Sequence, residues 1–326
     1  MSQGHRLAFE KPIYELEEQL ADQEQLVDDN PQAQEEIRQL RRDVTQLKRD
    51  IYGNLDAWQT VQVARHPERP QTTEYLSLLF EDFVELRGDR SFGDDRAIRS
   101  GFARISGQKV MFVGHQKGRT IKERQQCYFG CAHPEGYRKA LQKMRLAAKY
   151  NLPVIAFIDT PGAYPGIGAE ERGQAQMIAV NLMEMARLPT PIICVVIGEG
   201  GSGGALGIGV GDRVSVLEHA YYSVISPEGC AGILWKSSEY APQAAKALKL
   251  TSTYLSELGV VDDVIPEPVG GAHRDHRQMA NTLRSYLLRY LKEVRDVSMD
   301  TLLNDRYEKF RKMGAFIENS DSESPE

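Results

Sequence analysis

Residues 192–207 read Ile192-Ile-Cys-Val-Val-Ile-Gly-Glu-Gly-Gly-Ser-Gly-Gly-Ala-Leu-Gly207, an apolar run that passes directly into a glycine-rich one. The six apolar residues at 192–197 are typical of a strand that is buried on both faces. Glycines directly after a strand let the backbone come close to a ligand, and they expose amide N–H groups at the start of a helix, where anions bind. The stretch therefore predicts a buried strand with a ligand site at its end.

A second apolar run, at residues 154–158, is followed by the loop Asp159-Thr-Pro-Gly-Ala-Tyr-Pro-Gly-Ile-Gly168. A helical pattern over residues 169–187 separates the two runs. Strand–helix–strand order predicts parallel pairing through a right-handed crossover, so the body of the chain is predicted to be α/β. The other predicted elements are a helix over 137–148, strands at 102–105, 110–113, 213–217 and 222–225, a helix that begins at Ser226 and a last helix over 300–310.

The N-terminal 60 residues have the pattern of a helical hairpin. Apolar residues recur every three or four positions from residue 37 to residue 51, and a weaker stripe runs from residue 13 to residue 27. Asn30 and Pro31 suit the start of the second helix and Gly53 suits its end. Because two stripes bury too little surface for an independent domain, we expect the hairpin to pack on the body or on a partner subunit.

The charge is distributed unevenly along the 326 residues, whose net charge is −6. Residues 1–60 carry a net −6, residues 318–326 a net −4, and the body between them a net +4. A strongly basic nucleic-acid-binding protein is therefore excluded for the chain as a whole. We divide the chain into an N-terminal helical hairpin (1–60), a body (61–296), and a C-terminal helix with an acidic tail (297–326) that we expect to be disordered.

Two further features bear on location and metal binding. No apolar run approaches the ~18 residues that a membrane span needs, and the N-terminus is polar, so we expect a cytoplasmic protein with no membrane partner. The four cysteines include no C-x-x-C pair, so we expect no zinc ribbon and no metal site in this chain.

The glycine run fits the dinucleotide-binding pattern G-x-G-x-x-G at Gly198, Gly200 and Gly203. On this hypothesis Glu218, at the end of the next predicted strand, would bind a ribose. The run is not a P-loop, because no Gly-Lys-Ser/Thr closes it.

The same run also fits G-x-S-x-G, with Ser202 in the centre. Asp262 or Asp263, and then His273 or His276, follow in the chain order of an α/β-hydrolase triad. A glycine-rich run matches such patterns easily, so neither is decisive. Both interpretations share backbone amides that face an anion or an oxyanion. A non-catalytic scaffold built around the N-terminal hairpin is a third alternative.

Two other stretches suggest a ligand site. The loop at 159–168 contains two Pro-Gly pairs, which fix a rigid turn at the carboxyl end of a predicted strand, where α/β folds bind ligands. Residues 115–145 carry eight bases and two acids, which suits an anionic ligand or an acidic partner. We predict no nucleic-acid partner, although this basic stretch leaves one open.

The loop Asp159-Thr-Pro-Gly-Ala-Tyr-Pro-Gly166 resembles the D-T-P-G-x-x-P-G loop of biotin-dependent carboxyltransferases. Residues 64–70, 114–119, 197–204 and 224–230 resemble the α subunits of bacterial and plastid acetyl-CoA carboxylase carboxyltransferases. The resemblance covers nearly the whole chain apart from the acidic tail. It implies a crotonase-like ββα spiral, in which glycine loops supply oxyanion holes.

The resemblance also implies which residues form the site. Gly203 and Gly204 would supply the backbone N–H groups of an oxyanion hole that polarises the ureido oxygen of biotin as CO2 leaves, and Ser202 would be a loop residue and not a nucleophile. The other residues that we expect to bind substrate are Gly200, Gly201, Gly162, Ala163, Tyr164, Pro165, Gly166, Lys117, Arg119 and Lys122.

The implied reaction transfers a carboxyl group from carboxybiotin, held on a separate biotin carboxyl carrier protein, to acetyl-CoA, giving malonyl-CoA. The implied partner is a carboxyltransferase β subunit in an α2β2 assembly with active sites at the α–β contacts. Zinc is expected in that β subunit and not in this chain, and ATP is expected only at the separate biotin carboxylase.

Overall fold

The fold is built on one eight-stranded sheet. A computed structural model of the protein describes residues 5–26 and 31–314. The strands are β1 (Glu81–Glu85), β2 (Ile98–Ile105), β3 (Gln108–His115), β4 (Val154–Thr160), β5 (Ile192–Gly201), β6 (Arg213–Leu217), β7 (Tyr221–Ser223) and β8 (Asp263–Ile265). They lie in the order β1-β2-β3-β4-β5-β6-β8, and β7 pairs with β5. The first two pairings are antiparallel and the rest are parallel, which confirms the α/β prediction.

Strand β5 is longer than the apolar run predicted. Its first part pairs with β6, and then Glu199, Gly200 and Gly201 pair with β7. The glycine run therefore begins inside the sheet and not in a loop. The residue pattern did not indicate this extension, because glycine is unfavourable in strands unless another group approaches closely.

Fourteen α-helices surround the sheet in the described part of the chain. They are α1 (Lys11–Leu26), α2 (Pro31–Tyr52), α3 (Ala57–Ala64), α4 (Thr72–Leu79), α5 (Ile121–Gln126), α6 (Pro134–Lys149), α7 (Ile167–Glu171), α8 (Gln174–Ala186), α9 (Ser202–Leu206), α10 (Pro227–Trp235), α11 (Ala241–Leu248), α12 (Ser252–Glu257), α13 (His276–Arg295) and α14 (Met299–Arg311). Within residues 5–26 and 31–314, none of them has the length and apolar character needed to cross a membrane.

Several helix predictions are confirmed and one is wrong. Ser226 caps α10 as expected, because its Oγ accepts a hydrogen bond from the Gly229 N–H at 3.0 Å. The single helix predicted over 169–187 is instead two helices, α7 and α8, because Gly173 adopts a left-handed conformation (φ 81°) between them. The long helix α13 was not predicted.

The central strands form the hydrophobic core. Every residue of β4 and β5 is buried, as expected for strands covered on both faces. Phe112 of β3 and Phe157 of β4 meet edge to face, with ring centroids 5.1 Å apart. Rigid central strands give the loops at their carboxyl ends a fixed starting point.

Glu10 holds the N-terminal hairpin on the body. This fully buried carboxylate accepts hydrogen bonds from Tyr14 (3.0 Å), from Tyr52 (2.7 Å) and from Arg274 on the C-terminal side of the chain (3.0 Å). Burial alone would raise the pKa of Glu10, but hydrogen bonds from His273 and Tyr52 and the charge of Arg274 lower it. The hairpin therefore packs on the body of its own subunit.

The predicted domain limits remain predictions. The limit at residue 60 falls inside α3, and α14 lies within the predicted C-terminal segment. The expected cap Asn30, the end of the weaker apolar stripe at Val27 and the acidic tail at 318–326 lie outside the described residues.

Arg306 of α14 is completely buried and uses its guanidinium on five acceptors. It donates to both carboxylate oxygens of Asp212, at 2.8 and 2.7 Å. It also donates to the carbonyl oxygens of Met185, Leu188 and Thr190, at 2.7 to 3.0 Å. This one side chain therefore joins α14 to the end of α8 and to the segments that flank β5.

We expect Arg306→Ala to lower the free energy of unfolding by about 3–5 kcal/mol, because it removes the ion-pair partner of the Asp212 carboxylate and one donor from each of three carbonyls. Urea unfolding of the purified chain measures this loss. Arg311→Ala, on an exposed position of the same helix, is the matched control and should change the free energy by less than about 0.5 kcal/mol. Equal losses in the two variants would contradict this role of Arg306.

Candidate active site

Two loops meet at the carboxyl ends of β4 and β5. We call residues 159–168 the Pro-Gly loop. For residues 198–207, which comprise the end of β5, helix α9 and Gly207, we use the name glycine loop. Since β4 and β5 are parallel neighbours, both loops leave the same edge of the sheet. This edge is where α/β folds commonly bind ligands.

The two loops touch through their backbones. A Cβ atom on Gly201 would lie 2.2 Å from the Pro161 carbonyl oxygen, and one on Gly204 would lie 2.4 Å from the Gly162 carbonyl carbon. No side chain fits at either position without moving the Pro-Gly loop. Glycine is therefore required at residues 201 and 204 for the two loops to meet.

Backbone N–H groups become available where the loops meet. Helix α9 begins directly after β5, and the first N–H groups of a helix, here including those of Gly203 and Gly204, have no acceptor within the helix. The Ala163 N–H has no acceptor among residues 5–26 and 31–314. Thr160 fixes the turn before it, because its Oγ accepts from the Gly162 N–H (3.1 Å) and donates to the Gly162 oxygen (2.7 Å). The arrangement can stabilise an oxyanion.

A buried ion cluster ties the starting points of the two loops together. Lys117 Nζ lies 2.7 Å from Asp159 Oδ1 and 2.5 Å from Glu199 Oε2, and the Glu199 N–H donates to Asp159 Oδ1 at 3.0 Å. Burial alone would raise the pKa of Glu199, but the charges of Lys117 and Arg65 lower it to about 2. The Glu199 carboxylate therefore remains a partner of Lys117 at neutral pH.

Arg65 extends the ion cluster to helix α10. Its Nε lies 2.6 Å from Glu199 Oε1 and its Nη1 lies 2.5 Å from Glu228 Oε1. The Tyr221 hydroxyl donates to the same Glu199 oxygen at 2.7 Å. The cluster therefore connects α3, β5, β7 and α10 around the end of the sheet.

A cavity of about 250 Å³ lies beside the ion cluster. It reaches both loops, because Pro161 and Glu199 line it. The remaining lining residues are Ala64, Arg65, His66, Pro67, Arg69, Gln71, Lys117, Gly118, Arg124, Phe129 and Asp159. The cavity is therefore rich in cations, and it borders the start of the Pro-Gly loop at Pro161.

The three basic residues predicted to bind substrate lie in different environments. Lys117 is engaged in the ion cluster. Arg119 pairs with Glu74 at 2.7 Å and also donates to the Pro67 carbonyl oxygen. Lys122 is exposed on α5 and has no ion-pair partner in the described part of the chain. Their contact with substrate stays a prediction.

The predicted residues of the Pro-Gly loop lie together. Tyr164 stacks on His133, with ring centroids 4.0 Å apart, and Pro165 is exposed. Gly166 precedes α7, and a Cβ atom there would lie 2.4 Å from the Tyr164 ring. By contrast, Gly200 pairs with Tyr222 in the sheet. Substrate binding by these residues also stays a prediction.

The basic stretch at 115–145 is largely neutralised in the structure. Five of its eight bases form ion pairs with acids from other parts of the chain: Lys117, Arg119, Arg138, Lys139 and Arg145. The positive charge that a polyanion would need is therefore much smaller than the sequence suggests.

The contacts of the two candidate histidines do not support a hydrolase triad. His273 Nε2 lies 3.4 Å from the Tyr52 hydroxyl, and His276 Nε2 lies 2.7 Å from the Glu68 carbonyl oxygen. Within residues 5–26 and 31–314, neither ring makes a hydrogen bond with Ser202. Ser202 does have the left-handed backbone (φ 49°) found at sharp strand-to-helix turns, but it lacks a base.

The dinucleotide interpretation also loses its support. The Glu218 carboxylate accepts a hydrogen bond from the Glu267 N–H at 2.9 Å. A Cβ atom on Gly198 would lie 2.6 Å from Asp159 Oδ1. The first glycine of the pattern therefore makes room for a carboxylate of the ion cluster and not for a pyrophosphate.

One group of side chains has the residue types of a metal site. Glu10, His66 and His273 place one donor atom each within 4.8 Å of one another. However, His66 Nδ1 accepts from the Glu68 N–H (3.2 Å), and its Nε2 lies 3.0 Å from the His5 carbonyl oxygen. Since Glu10 is engaged by the hairpin, we assign this group to docking of the N-terminal segment.

Sequence reasoning missed four residues of the site. Arg65 and Glu199 lie within the motifs quoted above but were not selected, and Arg124 and Phe129 were not singled out as ligand-binding residues. Glu199 carried a signal: it is the one acid inside a glycine run that follows a buried strand. A carboxylate in such surroundings requires a cationic partner.

Residues 6–314 match the acetyl co-enzyme A carboxylase carboxyltransferase-like family. The chain belongs to this family. The acetyl-coenzyme A carboxylase carboxyl transferase subunit alpha of Rhodopirellula baltica is 64% identical over 317 residues, covering 97% of this chain and 99% of that protein. The subunit of the same name from Geobacter metallireducens is 54% identical over 318 residues, covering 98% and 100%.

A solved structure of another protein has a similar fold. Transcarboxylase 12S with methylmalonyl-coenzyme A and methylmalonic acid bound superimposes with a TM-score of 0.54 at 22% identity. The match covers 68% of this chain and 42% of that chain, so this chain spans less than half of that protein. The expected crotonase-like ββα spiral is confirmed by this fold.

The loop contact gives a prediction for two neighbouring glycines. We expect Gly204→Ala to lower carboxyl transfer at least 100-fold, because the added methyl group would displace the Gly162 and Ala163 backbone. Gly203→Ala is the matched control, because its Cβ would only contact Ile178 at an ordinary 3.5 Å. It should keep activity within about threefold. Steady-state rates of the two variants, measured with the β subunit present, provide the test, and similar rates would contradict the loop model.

Proposed function

We propose that this chain is the α subunit of a cytoplasmic acetyl-CoA carboxylase carboxyltransferase, a biotin-dependent transferase. It would form malonyl-CoA from acetyl-CoA and carboxybiotin, the first committed step of fatty acid biosynthesis. The observation that carries the proposal is the contact between the Pro-Gly loop and the glycine loop, which brings the start of α9 next to the Ala163 N–H, a group without an acceptor among residues 5–26 and 31–314. Family membership supports the substrate assignment.

The loops suit the ureido group of biotin. The Ala163 nitrogen lies next to Gly204 at the start of α9, and backbone donors at such a place would stabilise an oxygen that becomes negative during reaction. Carboxybiotin, when bound, supplies the carboxyl group as CO2 and has a ureido nitrogen that can take the proton from acetyl-CoA. The N–H groups of Gly203, Gly204 and Ala163 would bind the ureido oxygen and stabilise its charge.

No side-chain nucleophile is needed for this role. Preorganised backbone donors act without reorganising, and the loss of one such donor typically costs about 3 kcal/mol of transition-state stabilisation. The ion cluster of Lys117, Asp159 and Glu199 holds both loops so that their N–H groups remain in place. Ser202 supplies its backbone to the turn.

The site is completed by other proteins. The described part of the α chain offers one candidate oxyanion site, whereas the reaction also develops charge on the acetyl-CoA enolate, and we assign the second site to a β subunit in an α2β2 heterotetramer. The biotin carboxyl carrier protein would deliver carboxybiotin, made by biotin carboxylase with ATP. Zinc would belong to the β subunit. The lengths of the related proteins support a site shared by two chains. This chain matches nearly the full length of an α subunit but less than half of the transcarboxylase chain.

We expect the purified α chain to be inactive and the complex with its β subunit to transfer carboxyl groups between malonyl-CoA and biocytin. The physical reason is that one chain supplies one oxyanion site for a reaction that needs two. Co-expression and co-purification, followed by a malonyl-CoA decarboxylation assay that depends on biocytin, test this. A well-formed complex without activity would refute the proposed function.

We expect Ser202→Ala to keep carboxyl transfer within about fivefold, because the backbone of residue 202 and not its hydroxyl takes part. Esterase activity on an activated ester, measured in parallel, tests the hydrolase alternative. Loss of esterase activity with loss of transfer in this variant would favour a serine nucleophile.

A further inference from the structure

One cation of the cavity lacks a carboxylate partner. Arg65 and Lys117 pair within the ion cluster, and Arg69 pairs with Glu267 at 2.5 Å. Arg124 of α5 has no carboxylate at ion-pair distance in the described part of the chain, and its Nε makes only a 3.4 Å hydrogen bond to the Gly118 oxygen. Its guanidinium therefore brings uncompensated positive charge to the cavity.

An aromatic ring lines the same cavity and is held there by strained backbone. Phe129 is 55% exposed and has a left-handed φ of 56°, and Tyr128 before it has a φ of 48°. Such conformations are unfavourable for non-glycine residues and persist only where the surrounding structure holds them. The Tyr128 ring packs against His133, with centroids 4.1 Å apart, which fixes the turn. The Phe129 ring is therefore exposed to solvent even though its backbone conformation is unfavourable.

The two groups together match a particular ligand chemistry. A guanidinium binds a carboxylate or a phosphate through two parallel hydrogen bonds, and an aromatic face packs against a flat ring. The cavity volume of about 250 Å³ is smaller than the 300–1,000 Å³ typical of whole-ligand pockets. It therefore suits the ring-sized end of a longer ligand that continues toward the two loops.

We propose that Arg124 and Phe129 form a subsite for a ring that carries or adjoins an anionic group. The inference rests on the proposed function, because both substrates of that reaction offer this chemistry. Carboxybiotin presents a fused ring with a carboxylate, and coenzyme A presents an adenine next to a phosphate. The residues of the cavity suit a flat ring beside an anionic group, which both substrates have. Kinetic measurements distinguish binding of the biotin ring from binding of the adenine end of coenzyme A.

The test uses the α–β complex with malonyl-CoA and biocytin as substrates. Arg124→Gln removes the charge and Phe129→Leu removes the flat ring while keeping apolar bulk. If the biotin ring occupies the subsite, each variant lowers kcat/KM for biocytin tenfold or more and leaves the KM of malonyl-CoA unchanged. If the adenine end occupies it, each variant raises the KM of malonyl-CoA tenfold or more. Arg124→Lys and Phe129→Tyr should restore part of the loss in either case.

Matched controls lie close by but outside the cavity. Arg96→Gln removes an exposed guanidinium that donates to Gln126 of the same helix α5, and Phe92→Leu changes another exposed ring. Both should leave all constants within twofold. Co-elution with the β subunit shows that every variant is assembled. The subsite is refuted if Arg124→Gln and Phe129→Leu change no constant more than twofold, whereas an inactive wild-type complex would refute the proposed function itself.

Discussion

The contact between two backbones at the end of the sheet is the constraint on which the rest of this site depends. Gly201 and Gly204 have no room for a side chain because the Pro-Gly loop lies directly against them. The ion cluster of Lys117, Asp159 and Glu199 keeps the starting points of the loops in register. A run of glycines suggests positions that would accept many residue types, but Gly201 and Gly204 have no space for any side chain. The same contact leaves backbone atoms, and no side chain of residue 201 or 204, where the two loops meet.

Short sequence patterns correctly predicted the elements whose structure depends on neighbouring residues in the chain. The apolar runs at 154–158 and 192–197 became β4 and β5, because a strand covered on both faces needs little except apolar side chains. The loops after them were also identified, since Pro-Gly pairs and glycine runs have few structural uses. Helix α13 was overlooked although its buried residues recur at helical spacing, and α7 and α8 were merged because an isolated glycine inside a helical pattern is often tolerated.

The partners of charged side chains could not be predicted in this way. Arg65 meets Glu199 across 134 residues of sequence, and Lys117 meets the same carboxylate across 82. The basic stretch therefore suggested an open anion-binding surface, whereas most of its bases are neutralised by distant acids. Arg124 stands out only after these pairs have been assigned. For charged residues, the informative quantity is the charge that remains once the fold has formed.

The anchoring of the N-terminal hairpin has a consequence for the order of folding during synthesis. Glu10 is among the first residues to leave the ribosome, but its partner Arg274 follows 264 residues later. At a synthesis rate of about 5–20 residues per second, the hairpin waits roughly 13 to 50 seconds for that partner. During this interval the Glu10 carboxylate can bind Tyr14 and Tyr52 of the hairpin but not Arg274. The contact between the N-terminal hairpin and the body through Glu10 and Arg274 can therefore form only after most of the chain has been synthesised.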